Sequence, residues 1–115
     1  KASSMDVVTG TPANRGTVRG RVAVVFGPTD FAKVKKGDIL VAYGTNPNMV
    51  VVMERAAAFV TDLGSLTSHT AIIARELGVP AIVACKNATQ VLKDGDEVLV
   101  DGTAGTVTIL GKQKV

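Results

Sequence analysis

Three short apolar runs, DILVAY at 38–43, AAFVT at 57–61 and AIVA at 81–84, constrain this chain more than anything else in it. Each is too short for a core helix and too apolar for anything but a buried strand. Helix-length stretches lie between them. Strand, helix, strand, loop, helix is the grammar of an α/β unit, in which functional groups gather at the loops beyond the carboxyl ends of the strands.

Taken in order, Val7 to Gly20 is broken by Gly10, Pro12 and Gly16 and should form short extended pieces wrapped along an edge. From Thr17 to Val25 β-branched residues accumulate around Gly20, which predicts a strand with a bend or bulge at the glycine. TDFAKV should be one helical turn, with Thr29 and Asp30 as caps. Asn46 can cap and Pro47 suits the first helical position, so MVVVMERAAA reads as a helix held by packing rather than propensity, given its three valines. The next helix should be capped by Thr67 or Ser68, sets Ile72, Ile73 and Leu77 on one face, and stops at Gly78. After AIVA come a short helix over 87–92 capped by Asn87, a turn at Asp94 and Gly95, and a closing hairpin over 97–100 and 105–110. Gly102 and Gly105 should take the strained positions of that hairpin. Residues 1–6 read as linker, 7–110 as one domain and 111–115 as a tail; the start at lysine fits an excised segment.

Composition narrows the function. The chain has 115 residues, 46% hydrophobic but only 3% aromatic, so its core is built from Val, Ile, Leu and Ala. Thirteen basic and ten acidic residues are scattered, and one Tyr with no Trp leaves few stacking platforms, which argues against nucleic-acid binding. Cys85 stands alone after an apolar run, which reads as a small buried residue compatible with a reducing, cytoplasmic setting. No apolar run reaches the roughly 18–20 residues of a membrane span.

One residue draws the remaining chemistry together. His69 is the only histidine, and it falls in the first turn of the helix after the second run, where backbone N–H groups lack helical partners and the dipole is positive. Hydroxyls of Ser65, Thr67, Ser68 and Thr70 surround it in sequence. Neutral imidazole is a nucleophile, and a helix start favours the charge of a phosphoryl group carried on it. The same features also fit an ordinary capping residue or a non-catalytic anion-binding module. A lone His without a cysteine cluster lacks zinc's ligands. Ser68 and His69 show no nucleophile-elbow pattern, and no phosphate-cradling G-x-x-x-x-G-K-[ST] occurs.

The stretch GSLTSHTAIIAR, Gly64 to Arg75, closely resembles the phosphohistidine signature of the phosphoenolpyruvate-utilising enzymes, which include phosphoenolpyruvate synthase, pyruvate phosphate dikinase and enzyme I of the sugar phosphotransferase system. The likeness runs back through GDILVAYGTNP to TPANRGTVRGRVAVV and forward through ELGVPAIVACKNATQVLKDGDEVLVDGTAGTV. It implies a single compact swivelling β/β/α domain of the α/β class, with short helices on small sheets. It also implies that His69 is phosphorylated at one partner domain and delivers the group at another. Gly64, Ser65, Thr67, Ser68 and Thr70 would then shape the phosphate site. Thr67 matches a threonine that is a regulatory phosphorylation site in some dikinases, though a helix cap is its simpler role. Arg75 lies well round the helix and suits a supporting or domain-docking role. Ser65 replaces a glycine usual in the family, with either an altered loop or an added hydroxyl as the consequence. The resemblance places ATP, or phosphoenolpyruvate, and Mg²⁺ at partner domains, with no cofactor or metal on this one and an acceptor such as pyruvate elsewhere. The GKQKV terminus would fit a domain closing its parent chain, as in the rifampicin phosphotransferases, whereas the barrel-bearing enzymes of the family place this domain in the middle.

Overall fold

The computed structural model describes residues 7–112. Eight strands run as β1 (Val7–Thr9), β2 (Thr11–Asn14), β3 (Thr17–Val25), β4 (Ile39–Ala42), β5 (Ala58–Thr61), β6 (Ala81–Val83), β7 (Glu97–Asp101) and β8 (Thr106–Gly111). The α-helices are α1 (Val50–Met53), α2 (His69–Leu77) and α3 (Ala88–Val91), and 3-10 turns cover Pro28–Lys33 and Pro47–Met49. The strand order is β1-β8-β7-β3-β4-β5-β6-β2. The two outermost strands, β1 and β2, are consecutive in sequence and separated by Gly10 alone, so one segment borders both ends of the array. The expectation of extended pieces along an edge is met at two edges at once.

The array has two halves with different burial. β3 to β6 are mutually parallel, and their residues alternate between two cores. Ile39, Val41, Ala58, Val60 and Ile82 join an inner core with Val98, Val100, Val107 and Ile109. Leu40, Ala42, Phe59, Ala81 and Val83 face an outer core with Met49, Val52, Met53, Ala71 and Ala74 from the crossover segments. Strands buried on both faces read as continuous apolar runs, which is why those three runs were legible as strands. β7 and β8 pair antiparallel and bury one face only, so their sequences alternate.

Several local expectations need correction. β3 has no bulge at Gly20; the strand changes partner there, pairing with β7 through Arg21 and with β4 from Val22. Gly20 is needed for close approach, since a Cβ would fall 2.8 Å from the Gly37 carbonyl oxygen. Thr29 and Asp30 lie inside the 3-10 turn, and the Asp30 carboxylate accepts the Phe26 N–H at 2.8 Å. Asn46 does cap, accepting from the Asn48 N–H, with Pro47 first. The helix that follows ends at Met53 instead of running through the alanines. The Arg55 carbonyl accepts from Gly37 and the Ala57 N–H donates to Asp38, bonds that turn the backbone into β5.

α2 reverses the expected face. Thr70, Ala71 and Ala74 are buried against the sheet, while Ile72 and Leu77 are exposed and Ile73 is half-buried. Small residues let the helix lie close on β6, a fit that hydrophobic spacing alone does not reveal. The stop at Gly78 is as expected, with φ 71°. In the last hairpin Gly105 takes a positive φ of 81°, but Gly102 does not; a Cβ there would overlap the Asn14 carbonyl oxygen. Gly111 belongs to β8 and Lys112 bonds Asp96 and the Val91 carbonyl, so the tail is tied down at least that far. Residues 1–6 and 113–115 of the expected linker and tail lie outside the described residues. No described helix is long and apolar enough to cross a membrane.

Candidate functional site

Parallel β4, β5 and β6 deliver their carboxyl ends to one edge, and His69 stands there as the first residue of α2. Its ring is half-buried. The ring Nδ1 lies 2.8 Å from the Thr45 hydroxyl, and that oxygen lies 2.7 Å from the hydroxyl of Thr70. Thr70 is 2% exposed and turns into the domain, so it anchors this chain of contacts from within. With Nδ1–H donating to Thr45 and Thr45 donating to Thr70, the neutral ring keeps its lone pair on Nε2. In that tautomer Nε2 is the ring nitrogen open to act as a nucleophile.

Thr45 was not singled out from the sequence. It sits in the loop after β4, twenty-four residues before His69. The only signal would have been a hydroxyl following a strand that ends at the same edge. The fold brings the two together because neighbouring parallel strands end level with one another.

The loop before His69 is bound up in its own contacts. Gly64 has φ 129°, and a Cβ there would meet Val83 at 3.0 Å and the Ser68 hydroxyl at 3.1 Å. Ser65 has no positive φ, so the residue that departs from the usual glycine imposes no left-handed strain. Its hydroxyl accepts the Thr67 N–H at 3.3 Å and lies 3.2 Å from the Thr67 hydroxyl. Thr67 is therefore engaged with Ser65 and does not cap the helix. Ser68 occupies the cap position, yet its hydroxyl donates backward to the Ser65 carbonyl at 2.8 Å instead of accepting from the first turn. The Ile72 N–H is bonded to the Ser68 carbonyl, which leaves the N–H groups of His69, Thr70 and Ala71 without helical acceptors. Arg75, at the far end of α2, donates to the Leu66 carbonyl at 2.6 Å and so holds the loop over the helix.

Asp62 is a second residue the sequence reading passed over. It is buried, and its carboxylate accepts the Thr89 N–H at 3.0 Å and the Thr89 hydroxyl. Asn87 stands at the cap position of α3 without making a side-chain cap bond, so Asp62 does the capping expected of Asn87. Cys85 is buried as expected, and burial, then Asp62, pushes its thiol up to about 12. Such a thiol is inert as a nucleophile.

The donor set around His69 consists of hydroxyls, backbone N–H groups and one imidazole. Among the described residues no group of three or more His, Cys, Asp or Glu is placed to hold a metal ion. A divalent cation wants carboxylate or phosphate oxygens, and the residues beside His69 offer none.

Comparison with known proteins shows the family of the chain. The family described as "PEP-utilising enzyme, mobile domain" matches residues 34–105. The chain belongs to that family. It is 54% identical over 101 residues to a probable phosphoenolpyruvate synthase of Pyrococcus abyssi and equally so to the phosphoenolpyruvate synthase of Pyrococcus furiosus, covering 88% of this chain. It spans only 12% of the length of each. The solution NMR structure of Enzyme I (nEIt) superposes with a TM-score of 0.61 at 36% identity, over 70% of this chain and 33% of that one. The mobile domain of phosphotransferases is thus the level at which the chain is placed.

Proposed function

We propose that this domain is a phosphoryl carrier in which Nε2 of His69 takes a phosphoryl group from ATP or phosphoenolpyruvate at one partner domain and passes it to an acceptor such as pyruvate at another. The observation that carries the reading is the 2.8 Å contact of the Thr45 hydroxyl with Nδ1, which, with Nδ1–H as the donor, leaves the lone pair on Nε2 as the reacting one. In the step, the Nε2 lone pair forms the N–P bond as the P–O bond to the donor breaks, and the departing oxygen keeps that electron pair. The ring becomes cationic while both nitrogens are substituted, and the contact with the Thr45 oxygen favours that charge. N–H groups of the α2 start face the anionic side of the reaction. On this reading ATP and Mg²⁺ are held by the partner domains.

The placement of the site suits a carrier. His69 lies beyond the carboxyl ends of the parallel strands, whereas Val7 and Gly111 pair with β8 and β7 toward their opposite ends.

The test is covalent labelling. The chain is incubated with the Pyrococcus furiosus phosphoenolpyruvate synthase, its own matching histidine replaced by alanine, and labelled phosphoenolpyruvate. An acid-labile, alkali-stable label on this chain is expected, and none on His69→Ala. Label of the same kind retained by His69→Ala would overturn the assignment.

A further inference from the structure

β6 ends at Val83, and the three residues after it form a pattern of bonds that a strand cannot make. The Ala84 N–H donates to the Leu63 carbonyl at 3.4 Å, the Cys85 N–H to that of Thr61 at 3.0 Å and the Lys86 N–H to that of Asp62 at 3.0 Å. In an extended strand successive N–H groups point to opposite neighbours, so three in a row cannot reach the same one. Here all three reach the end of β5, because Ala84 and Lys86 are left-handed, with φ of 57° and 71°. Among the described residues they are the only two outside glycine with a positive φ. That backbone is unfavourable for any residue with a Cβ and persists only where its surroundings over-determine it.

The carbonyls held in this way open the segment that leads to His69. Thr61 is fully buried and adds a fourth bond, its hydroxyl donating to the Leu63 carbonyl at 2.6 Å. Leu63 is followed by Gly64, closely packed on Val83, and by Ser65, whose carbonyl accepts the Ser68 N–H at 3.1 Å and the Ser68 hydroxyl at 2.8 Å. Ser68 immediately precedes His69. A continuous set of contacts therefore runs from the residues after β6 to the first turn of α2.

We propose that the left-handed hook Ala84–Lys86, together with the Thr61 hydroxyl, positions the transfer loop: it fixes the backbone of residues 61–63 and thereby sets where the His69 imidazole stands. The proposal rests on the carrier reading above. Ala84, Lys86 and Thr61 are positioning residues, acting through the loop and not on the phosphoryl group. A nucleophile held in one place has little freedom left to lose in the transition state, so loosening its supports slows transfer.

The test measures how fast labelled phosphoramidate, a small donor, phosphorylates His69 in the 115-residue chain. Lys86 is exposed, so substitutions there leave the core intact. Lys86→Gly takes the left-handed backbone freely and should label at the wild-type rate, with an equal or higher Tm. Lys86→Val is β-branched and ill suited to that backbone, and should label at least about threefold more slowly. Both variants lack the ammonium group, so charge does not separate them. Thr61→Val should slow labelling by a similar factor, and Thr61→Ser, which keeps the hydroxyl, should restore it. The Leu63 carbonyl retains the Ala84 N–H in both, so neither leaves a buried acceptor without a partner. Equal rates for Lys86→Val and Lys86→Gly, or for Thr61→Val and Thr61→Ser, overturn the hook while the carrier reading stands. Wild-type chain that takes no label overturns the carrier reading instead.

Discussion

Two helix starts lie at the same edge of this domain, and the chain treats them in opposite ways. α3 begins over the buried carboxylate of Asp62, which takes the Thr89 N–H and hydroxyl. α2 begins at Ser68, whose hydroxyl turns back to Ser65, so its first turn presents backbone N–H groups beside the His69 imidazole. The electrostatics are the same at both, a partial positive charge that attracts an anion. At α3 the protein provides the anion itself and gains a fixed loop. On the proposed carrier reading, an internal carboxylate at α2 would compete with an incoming phosphoryl group, and the sequence places hydroxyls there instead. On that reading, a structural cap and a transfer site differ in which side supplies the negative charge.

The comparison can be broken most severely at α3. Asp62→Ala removes a buried charged acceptor from two donors, and a loss of about 2–3 kcal/mol is expected. At this chain length that lowers Tm by on the order of 10 °C. An unchanged melting curve would show that Asp62 is not the cap that matters. The converse change, Ser68→Asp, makes α2 resemble α3. It should stabilise the helix by about 0.5–1 kcal/mol while cutting His69 labelling at least about tenfold through like-charge repulsion. The neutral Ser68→Asn control should label nearly as wild type; equal loss in both variants would point to shape instead of charge.

Smaller effects sharpen the picture. Thr45→Val deletes the contact to Nδ1, a bond of about 0.5–1.5 kcal/mol, so labelling should slow about three- to tenfold. Thr45→Ser, which retains the hydroxyl, should restore most of the rate. Cys85 tests the burial of this edge by pH. Its folded-state thiol is raised from 9.0 to about 12, chiefly by burial, so the unfolded chain releases that proton first. Stability from this source is complete below about pH 9 and falls as pH rises toward 12. Urea melts from pH 7 to 10.5 should show the decline in wild type and a flatter profile in Cys85→Ala.

Much of this was legible before the structure. Runs such as ILVA and AIVA announce strands covered on both faces, and Gly78 announces a helix end, because burial on two sides and a left-handed stop each impose a local residue choice. The face of α2 was not legible. Ile72 and Leu77 satisfy a helical spacing, yet Thr70, Ala71 and Ala74 make the contact, since how near a helix lies to its sheet is settled by the strands beneath it. The capping of α3 escaped for a similar reason: Asn87 is the local candidate, but a carboxylate from the end of β5 lies within reach and is the stronger acceptor.

The sequence by itself determined that His69 begins a helix after a parallel strand, since Gly64, the flanking hydroxyls and the apolar runs are all local signals. Only the tertiary structure decided which ring nitrogen meets a hydroxyl and which is left open. That choice depends on Thr45, twenty-four residues away and brought to Nδ1 by the parallel pairing of β4 with β5, and no periodicity along a chain encodes the distance between side chains on neighbouring strands.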